Sequence, residues 1–442
     1  MIRTMPSLPS VDVLQAGVAN PQPTYVYDLE RLRDRCRELE GIPVKGKSIF
    51  FATMANDHAA ILSCIRGRGH GVFVNSPRHF RLVRDLGFAP SRIVYAATNM
   101  TADEMEMCLK AKVRVILDSI GQLQLFARLA KPGQNVGLRL SVGSALDGVQ
   151  MWEDPSYRFG LMPAELPLAV EIARQHEVSI VGAHSYFGTD LTSAELLADG
   201  MERLGRAADL LPDLRYLDVG GGFGVTTRGE AGFNLESYGR LAAKVMADHE
   251  RRRGRPLELA LEPGRYLAAS CGFFFVKVID VKTRLDRVFV GTNGSVAIFP
   301  RLLVYPDRAV HPCEILGMRR DQPSLEAPVY VCGNSTYSRD FLARNVRLPL
   351  PQPGDTILFH NAGAYCRSMI TDFLGKDRPA EVVVNADSQP EIDSSELLDG
   401  PASAHVLRDR KTSSSVPANG VHRSGNGTTL IGMNGNSRRR PV

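Results

Sequence analysis

The feature that most constrains this chain is a regular alternation of short apolar strands and amphipathic helices between residues 48 and 263. Segments 102–112 and 236–246 carry apolar residues three and four positions apart, as helices with one buried face do. The strand candidates are rich in β-branched and aromatic residues and comprise 48–54, 71–76, 92–97, 114–118, 135–142, 180–187, 215–220 and 257–262. About eight strand–helix units predict a (β/α)8 TIM barrel, because parallel strands need helical crossovers.

After residue 265 the pattern changes to strand-like runs separated by Gly, Pro and Asp, at 273–281, 287–290, 327–332 and 356–360. This texture predicts an all-β domain, a sandwich or barrel, so the fold class is α/β plus all-β. A further strand candidate at 23–28 precedes the barrel. We expect four parts: 1–30 joining the β-domain, 31–266 forming the barrel, 267–392 forming the β-domain, and a disordered tail, 393–442, rich in Ser, Asn, Gly and Arg.

Composition excludes several classes of protein. The 442 residues carry a net charge of only +5, and part of that charge lies in the tail, which argues against nucleic-acid binding. No apolar run approaches the ~20 residues of a membrane span, and the N-terminus lacks the apolar stretch of a secretory signal. The seven cysteines lack CxxC spacing, and the histidines form no metal motif. We therefore expect a cytoplasmic protein with reduced thiols, no metal and no membrane partner.

Two motifs fall at the ends of the last two barrel strands, where phosphate sites of such barrels often lie. Asp218-Val-Gly-Gly-Gly-Phe-Gly224 places three glycines in a row, which lets backbone N–H groups approach an anion. Glu262-Pro-Gly-Arg265 adds a carboxylate and a guanidinium that can meet a phosphate in a two-pronged way. The glycine run is not a GxGxxG fingerprint, because Val225 stands three residues after Gly222. The structural alternatives are a tight turn for the glycine run and a Glu–Arg pair that closes the barrel for the second motif.

These motifs resemble those of the fold-type III pyridoxal-phosphate enzymes, which include the ornithine, diaminopimelate and arginine decarboxylases and, more distantly, alanine racemase. The resemblance covers roughly residues 22–390 and rests on Thr24-Tyr-Val-Tyr-Asp28, Leu217-Asp-Val-Gly-Gly-Gly-Phe-Gly224, Leu261-Glu-Pro-Gly-Arg265 and Gly363-Ala-Tyr365. It implies that Gly220, Gly221 and Gly222, the Gly264-Arg265 loop and Tyr365 bind the phosphate of pyridoxal 5'-phosphate. It also implies that Glu262 faces the pyridine nitrogen.

The resemblance makes one departure prominent. The family ends its first barrel strand in Tyr-Ala-x-Lys-Ala-Asn, and the lysine holds the cofactor as a Schiff base. This chain reads Phe51-Ala-Thr-Met-Ala-Asn56, so Met54 stands at the lysine position. A thioether has no amine and no proton to transfer. Lys45 and Lys47 lie at the other end of the strand, about 20–30 Å away at ~3.3 Å per residue.

Other departures concern groups that move protons. Tyr186 stands where the family has a ring-stacking histidine, with His184 two residues earlier. Thr336 and Tyr337 replace the Cys-[Asp/Glu] pair that the family supplies across its dimer interface. By the same resemblance, Asp340 matches a family position near the substrate, although a structural side chain is the alternative. Arg301 lies near the place of an arginine that grips a substrate carboxylate, although a surface arginine is the usual alternative.

We therefore predict a decarboxylase-like protein, expected as a homodimer, that acts on an amino acid or an amino-acylated intermediate by altered or weak chemistry. Pyridoxal phosphate would bind without covalent attachment, and Tyr186, His184 or Tyr337 would move protons. Loss of a general acid–base group costs roughly 10²–10⁴-fold in rate. One alternative is a non-catalytic paralogue that binds a ligand or regulates an active homologue by dimerisation. Another is a pyridoxal-phosphate carrier or sensor.

Overall fold

A computed structural model of the chain describes residues 8–143, 145–146, 149–150, 158–227, 232–306, 309–316 and 328–385. The helices are α1 (Val11–Ala19), α2 (Leu29–Glu40), α3 (Ala59–Gly67), α4 (Pro77–Asp85), α5 (Ala102–Ala111), α6 (Ile120–Leu129), α7 (Leu166–Gln175), α8 (Ala194–Ala208), α9 (Leu235–Arg253), α10 (Arg265–Ala268) and α11 (Arg301–Val304). The tail predicted to be disordered, 393–442, lies outside the described residues.

The strands are β1 (Thr24–Asp28), β2 (Lys47–Ala52), β3 (Gly71–Val74), β4 (Ile93–Ala96), β5 (Arg114–Leu117), β6 (Asn135–Arg139), β7 (Ala145–Leu146), β8 (Val149–Gln150), β9 (Ser179–His184), β10 (Tyr216–Asp218), β11 (Glu258–Leu261), β12 (Gly272–Arg284), β13 (Arg287–Thr292), β14 (Cys313–Leu316), β15 (Pro328–Cys332), β16 (Phe341–Arg347), β17 (Thr356–Phe359) and β18 (Ala380–Val384). Within the described ranges, no helix is both long enough and apolar enough to cross a membrane.

Eight parallel strands close into a barrel in the order β2-β3-β4-β5-β6-β9-β10-β11, and β11 returns to pair with β2. All eight strands coincide with predicted runs, and each stops one to three residues earlier, because the last residues of the run belong to the following loop. The 102–112 segment forms α5, which begins with a capping box between Thr101 and Glu104. The predicted barrel architecture is therefore confirmed.

Strands β7 and β8 form a separate antiparallel pair, and the strands after the barrel build one largely antiparallel sheet in the order β14-β17-β12-β13-β15-β16. The N-terminal strand β1 joins this sheet beside β12 and also pairs in parallel with β18. Two features were not predicted in this part of the chain. α1 packs its small face on the sheet, where Gly17 lies against the ring of Phe275. The one-turn helix α11, with Pro300 as its N-cap residue, and the 3-10 turns at Arg367–Met369 and Phe373–Gly375 interrupt the strands of this segment.

Several contacts join the β-domain to the mouth of the barrel, just beyond β2. The Asn56 side-chain amide donates to the Gly363 carbonyl at 2.9 Å, and the Tyr365 N–H donates to the Ala55 carbonyl at 2.8 Å. The Arg367 guanidinium bonds the buried carboxylate of Asp57 and also bonds Glu381 at 3.1 Å. The segment from Gly363 to Arg367 is thereby held over the carboxyl end of the barrel.

Candidate cofactor and active site

The three-glycine turn after β10 has a backbone that only glycine fits. Gly220 and Gly222 have φ of 65° and 90°, a region that side chains disfavour. A Cβ at Gly222 would lie 2.0 Å from the Gly188 carbonyl oxygen, and one at Gly221 would lie 2.4 Å from the Glu262 carbonyl oxygen. The turn therefore packs tightly against the loops after β9 and β11, with its backbone at the barrel mouth.

The turn and the Glu-Pro-Gly-Arg loop are neighbours. The Glu262 N–H donates to the Gly220 carbonyl at 2.7 Å. On the other side of the loop, a Cβ at Gly264 would meet the Cβ atoms of Ala55 and Ala52 at 3.0 and 3.2 Å and the Tyr365 hydroxyl oxygen at 3.3 Å. Four segments therefore converge at one point: the glycine turn, the start of α10, the end of β2 and the β-domain segment that carries Tyr365.

Three buried polar side chains lie side by side at the ends of β9, β10 and β11. They are His184, Asp218 and Glu262, and their ligand atoms lie within 4.8 Å of one another. His184 Nε2 lies 3.3 Å from Glu262 Oε2, and Asp218 Oδ1 accepts the Gly220 N–H at 3.0 Å. One atom of each side chain, His184 Nδ1, Asp218 Oδ2 and Glu262 Oε1, has no partner among the described residues. Such orphaned polar atoms indicate a ligand-binding site.

Burial dominates the proton equilibria of this cluster. It raises the pKa of Glu262 to about 7, and it raises the pKa of Asp218, which also faces the Glu262 carboxylate. Burial lowers the pKa of His184 to about 4, against the opposing effect of Asp218. His184 is therefore a neutral imidazole at pH 7, and Glu262 can hold or release a proton near neutrality. The spacing would also suit a divalent cation, so the absence of a metal stays a prediction.

Met54 follows β2 and faces the inside of the barrel. It packs on a small apolar cluster that contains Phe50, Ala52, Phe73, Val94, Ile116 and Ala260. Lys47 lies at the opposite end of β2, where its Nζ donates to the Ile42 carbonyl at 2.8 Å. The wall of the site next to Met54 is therefore apolar and contrasts with the polar wall of His184, Asp218 and Glu262.

Arg265 and Arg301 come together from different domains. Arg265 begins α10 on the barrel, Arg301 begins α11 on the β-domain, and both side chains are buried. The carboxylate of Asp190, in the loop after β9, bonds Arg265 and lies 3.5 Å from Arg301 Nη2. Arg265 thus pairs with Asp190, and the structural Glu262–Arg265 pair considered from the sequence is not the arrangement found.

The remaining candidates fall in two places. Tyr186 lies beside the glycine turn, with its Cδ2 3.1 Å from the position of a Gly220 Cβ, and its hydroxyl is 2.8 Å from Thr189 Oγ1. Thr336 and Tyr337 lie on a separate turn of the β-domain. Asp340 organises that turn, because its carboxylate accepts hydrogen bonds from the Val296 N–H, from the Ser295 hydroxyl, and from both the N–H and the hydroxyl of Ser335. These bonds support the structural alternative for Asp340, and its place as a substrate ligand stays a prediction.

The residues present fit most of a phosphorylated pyridine cofactor. A glycine cradle with no room for a Cβ suits a phosphate, with Arg265 and Tyr365 beside it. The orphaned Glu262 oxygen suits a ring nitrogen. The end of β2 does not fit covalent attachment, because Met54 offers no amine. The site can hold such a group by its phosphate and its ring but cannot tether it from β2.

Sequence reasoning missed three residues of this site. Asp218 belongs to the quoted glycine motif, and its position one strand before Glu262 was the available signal. Phe73 lies in a predicted strand, but its inward direction depends on the barrel register. Asp190 follows Thr189 in an irregular loop, and nothing in the sequence pairs it with Arg265.

Comparisons with known proteins show the family to which this fold belongs. The family described as "Pyridoxal-dependent decarboxylase, pyridoxal binding domain" matches residues 29–269. The diaminopimelate decarboxylase of Methanothermobacter thermautotrophicus is 28% identical over 376 residues, covering 82% of this chain and 86% of that protein. The diaminopimelate decarboxylase of Pseudomonas fluorescens is 28% identical over 392 residues, covering 84% and 89%.

Among solved structures, diaminopimelate decarboxylase from Helicobacter pylori complexed with L-lysine superposes with a TM-score of 0.74 at 23% identity, covering 83% of this chain and 93% of that one. The fold and the site define a barrel protein that binds a phosphorylated ligand at the carboxyl ends of its strands. With the match over more than half of its length, the chain belongs to the pyridoxal-dependent decarboxylase family, whose cofactor is pyridoxal phosphate.

Proposed function

We propose that this chain is a decarboxylase-lineage protein that binds pyridoxal phosphate without covalent attachment and acts on an amino acid or amino-acylated compound by altered or weak chemistry. The observation that carries the proposal is the contrast within one pocket. The glycine turn and Glu262 are retained, while Met54 stands in an apolar cluster at the end of β2. A pocket that had lost all ligand binding would be expected to lose the cradle as well.

Each remaining residue has a task in this proposal. The turn of Gly220, Gly221 and Gly222 holds the phosphate together with Gly264 and Tyr365. Glu262 pairs with the ring nitrogen, which lets the bound pyridine ring supply its usual electron-withdrawing chemistry. Tyr186 covers one face of the ring.

His184 is neutral and lies 3.3 Å from Glu262, and in this proposal it accepts or donates a proton next to the Glu262 carboxyl group. Without an amine at position 54, proton transfer on the Met54 side has no protein group to perform it.

The substrate side of the pocket is less complete within one chain. Arg301 supplies a buried guanidinium whose Nη2 faces Asp190. Its Nε has no partner among the described residues and is the atom that remains for a substrate carboxylate. Thr336 and Tyr337 would enter the site of a partner subunit in a homodimer. The relatives named diaminopimelate decarboxylase suggest a small amino acid with a second charged end as the first compound to test.

A second candidate is a non-catalytic paralogue that binds a ligand or regulates an active homologue by dimerisation. The apolar cluster around Met54, which includes Phe73 and Phe50, favours it, because Met54 itself offers neither an acid nor a base. The carrier or sensor role is a variant of the first proposal in which binding is the whole function. Binding and turnover therefore need separate measurements.

The test is equilibrium dialysis of the full chain against pyridoxal phosphate, followed by borohydride reduction and mass measurement of the intact protein. We expect saturable binding that dialysis reverses and no mass increase after reduction. Release of CO2 from diaminopimelate, lysine, ornithine and arginine is then measured beside an active diaminopimelate decarboxylase. We expect at least about a 10²-fold lower rate, the usual cost of losing a general acid–base group.

Each other outcome selects a different function. A mass increase after reduction would identify another lysine as the attachment point and overturn the proposal. No binding of pyridoxal phosphate, together with stable association of two chains in sedimentation, would favour the non-catalytic paralogue. Reversible binding with no CO2 release from any substrate would favour the carrier or sensor.

A further inference from the structure

Two buried arginines face one another at the edge of the candidate site. The Arg265 side chain is 9% exposed and that of Arg301 is 4% exposed. Burial, together with the neighbouring charge of Arg301, lowers the pKa of Arg265 to about 9. Two desolvated cations in this position require an anion between them.

The anion in this structure is the protein's own Asp190. Asp190 has a φ of 56°, in the left-handed region, and its carboxylate contacts both Arg265 and Arg301. The next residue anchors the loop on the glycine turn, since the Leu191 N–H donates to the Gly222 carbonyl at 2.8 Å. The Asp190 side chain is 33% exposed, in contrast to the arginines it joins. Its carboxylate can therefore rotate into solvent without unfolding the loop.

We propose that Asp190 is a specificity-determining residue: a tethered carboxylate that occupies the Arg265–Arg301 pair and yields it only to a phosphate monoester. The inference rests on the proposed function and deepens it, because it names the class of anion that Arg265 and Arg301 select in the same pocket. It rests on the contact of one carboxylate with two guanidiniums that come from different domains.

Competition explains the selectivity. A carboxylate attached to the chain next to its site has an effective concentration on the order of millimolar or more. A free carboxylate ligand has the same charge and similar hydrogen bonds, so it gains nothing by replacing Asp190. A phosphate monoester carries close to two negative charges at pH 7 and three acceptor oxygens. It gains more from two guanidiniums than Asp190 does, and it has the glycine turn beside it.

The experiment compares the wild-type chain with Asp190→Asn, which keeps the side-chain shape and removes the charge. Asp199→Asn is the matched control, because Asp199 pairs with Arg203 on the exposed face of α8. Affinity for pyridoxal phosphate is measured by equilibrium dialysis. The melting temperature is followed with inorganic phosphate and with formate, which test the free dianion and a carboxylate.

We expect Asp190→Asn to bind pyridoxal phosphate about tenfold or more tightly, because a like charge next to the phosphate is gone. We also expect formate to raise the melting temperature of Asp190→Asn but not that of the wild type or Asp199→Asn. A folded Asp190→Asn with unchanged or weaker affinity and no response to formate would overturn the inference while leaving the proposed function standing.

Two further outcomes are decisive. If neither chain binds pyridoxal phosphate but inorganic phosphate stabilises Asp190→Asn more than the wild type, the proposed function fails and the inference holds for another phosphorylated ligand. If Asp190→Asn does not fold, a crystal structure of the wild type grown with inorganic phosphate decides. Phosphate between the arginines with Asp190 turned to solvent supports the inference, and Asp190 still bonded to Arg265 beside a bound phosphate contradicts it.

Discussion

At the scale of the single residue, Met54 determines what this pocket can do. It follows β2, and its side chain packs in the barrel interior among apolar neighbours that include Phe50 and Phe73. An amine placed there would be partly desolvated, which lowers its pKa and favours the neutral, nucleophilic form. The surrounding scaffold thus suits a lysine chemically even though the sequence supplies a thioether.

The first prediction follows from that environment. Met54→Lys should give the chain a covalent attachment point, so that borohydride reduction with pyridoxal phosphate adds the mass of one cofactor and a visible absorbance band appears. Met54→Leu is the control and should show neither. A folded Met54→Lys that binds pyridoxal phosphate reversibly, with no mass change, would mean that position 54 does not face the bound aldehyde.

The second prediction concerns Glu262, whose pKa burial raises to about 7. A carboxyl group with a raised folded pKa stabilises the fold at low pH, and this contribution is lost as pH rises from about 4 to about 7. Glu262→Gln resembles the protonated form, so its free energy of unfolding should fall less over that interval. Urea unfolding at pH 5 and pH 8 checks it. If the free energy of unfolding changes by the same amount between pH 5 and pH 8 in both chains, the pKa of Glu262 is not raised and the prediction is wrong.

At the scale of the element, the glycine turn after β10 combines strain with close packing. The third prediction is that Gly222→Ala destabilises the fold by more than about 1 kcal/mol and abolishes phosphate binding, because the new Cβ would meet the Gly188 carbonyl oxygen at 2.0 Å. Gly254→Ala is the matched control. Gly254 also has positive φ, 66°, but a Cβ there meets nothing within 4 Å.

Chemical unfolding and equilibrium dialysis measure the two effects separately. Gly254→Ala should lose about 1 kcal/mol of stability at most and keep wild-type binding. If Gly222→Ala binds phosphate as the wild type does, the turn is a structural element and the phosphate lies elsewhere.

The barrel strands could be predicted from the sequence, whereas the contacts between loops could not. Strand periodicity predicted all eight barrel strands, because a buried parallel strand leaves an apolar run that depends only on local residues. The roles of α11 and Asp190 depend on which loops meet after the barrel closes. Arg301 could be proposed by resemblance, but its contact with Asp190 joins residues more than a hundred positions apart and leaves no local pattern.

At the scale of the whole molecule, an ion network links the barrel mouth to the β-domain. Burial alone would raise the pKa of Asp57, but a hydrogen bond from His79 and the charges of Arg367 and Arg78 hold it well below its usual value. Arg367 also bonds Glu381, which lies in β18 of the β-domain. The carboxylate of Asp57 is thus a shared partner of side chains from the barrel and the β-domain.

The fourth prediction is that Asp57→Asn lowers the free energy of unfolding by about 3 kcal/mol at pH 7, because Arg367 loses a buried partner. A depressed folded pKa contributes stability above about pH 4 that is lost as pH falls further. The wild type should therefore lose stability below pH 4 more steeply than the variant. Guanidinium unfolding between pH 2 and pH 7 measures both effects.

Asp34→Asn is the comparison, because Asp34 forms an exposed pair with Arg37 and should matter much less. Parallel acid profiles for wild type and Asp57→Asn would show that the network does not couple the barrel mouth to the β-domain.

The placement of β1 has a consequence for synthesis. Thr24–Asp28 is made before the barrel strands, yet its parallel partner, Ala380–Val384, is made only after the whole barrel has been translated. The barrel strands can assemble in order while β1 waits with an open edge, and joining the two ends closes a loop of several hundred residues. A nascent chain halted before residue 380 would keep that edge exposed, which makes late translational arrest the stage at which this protein is most prone to aggregate.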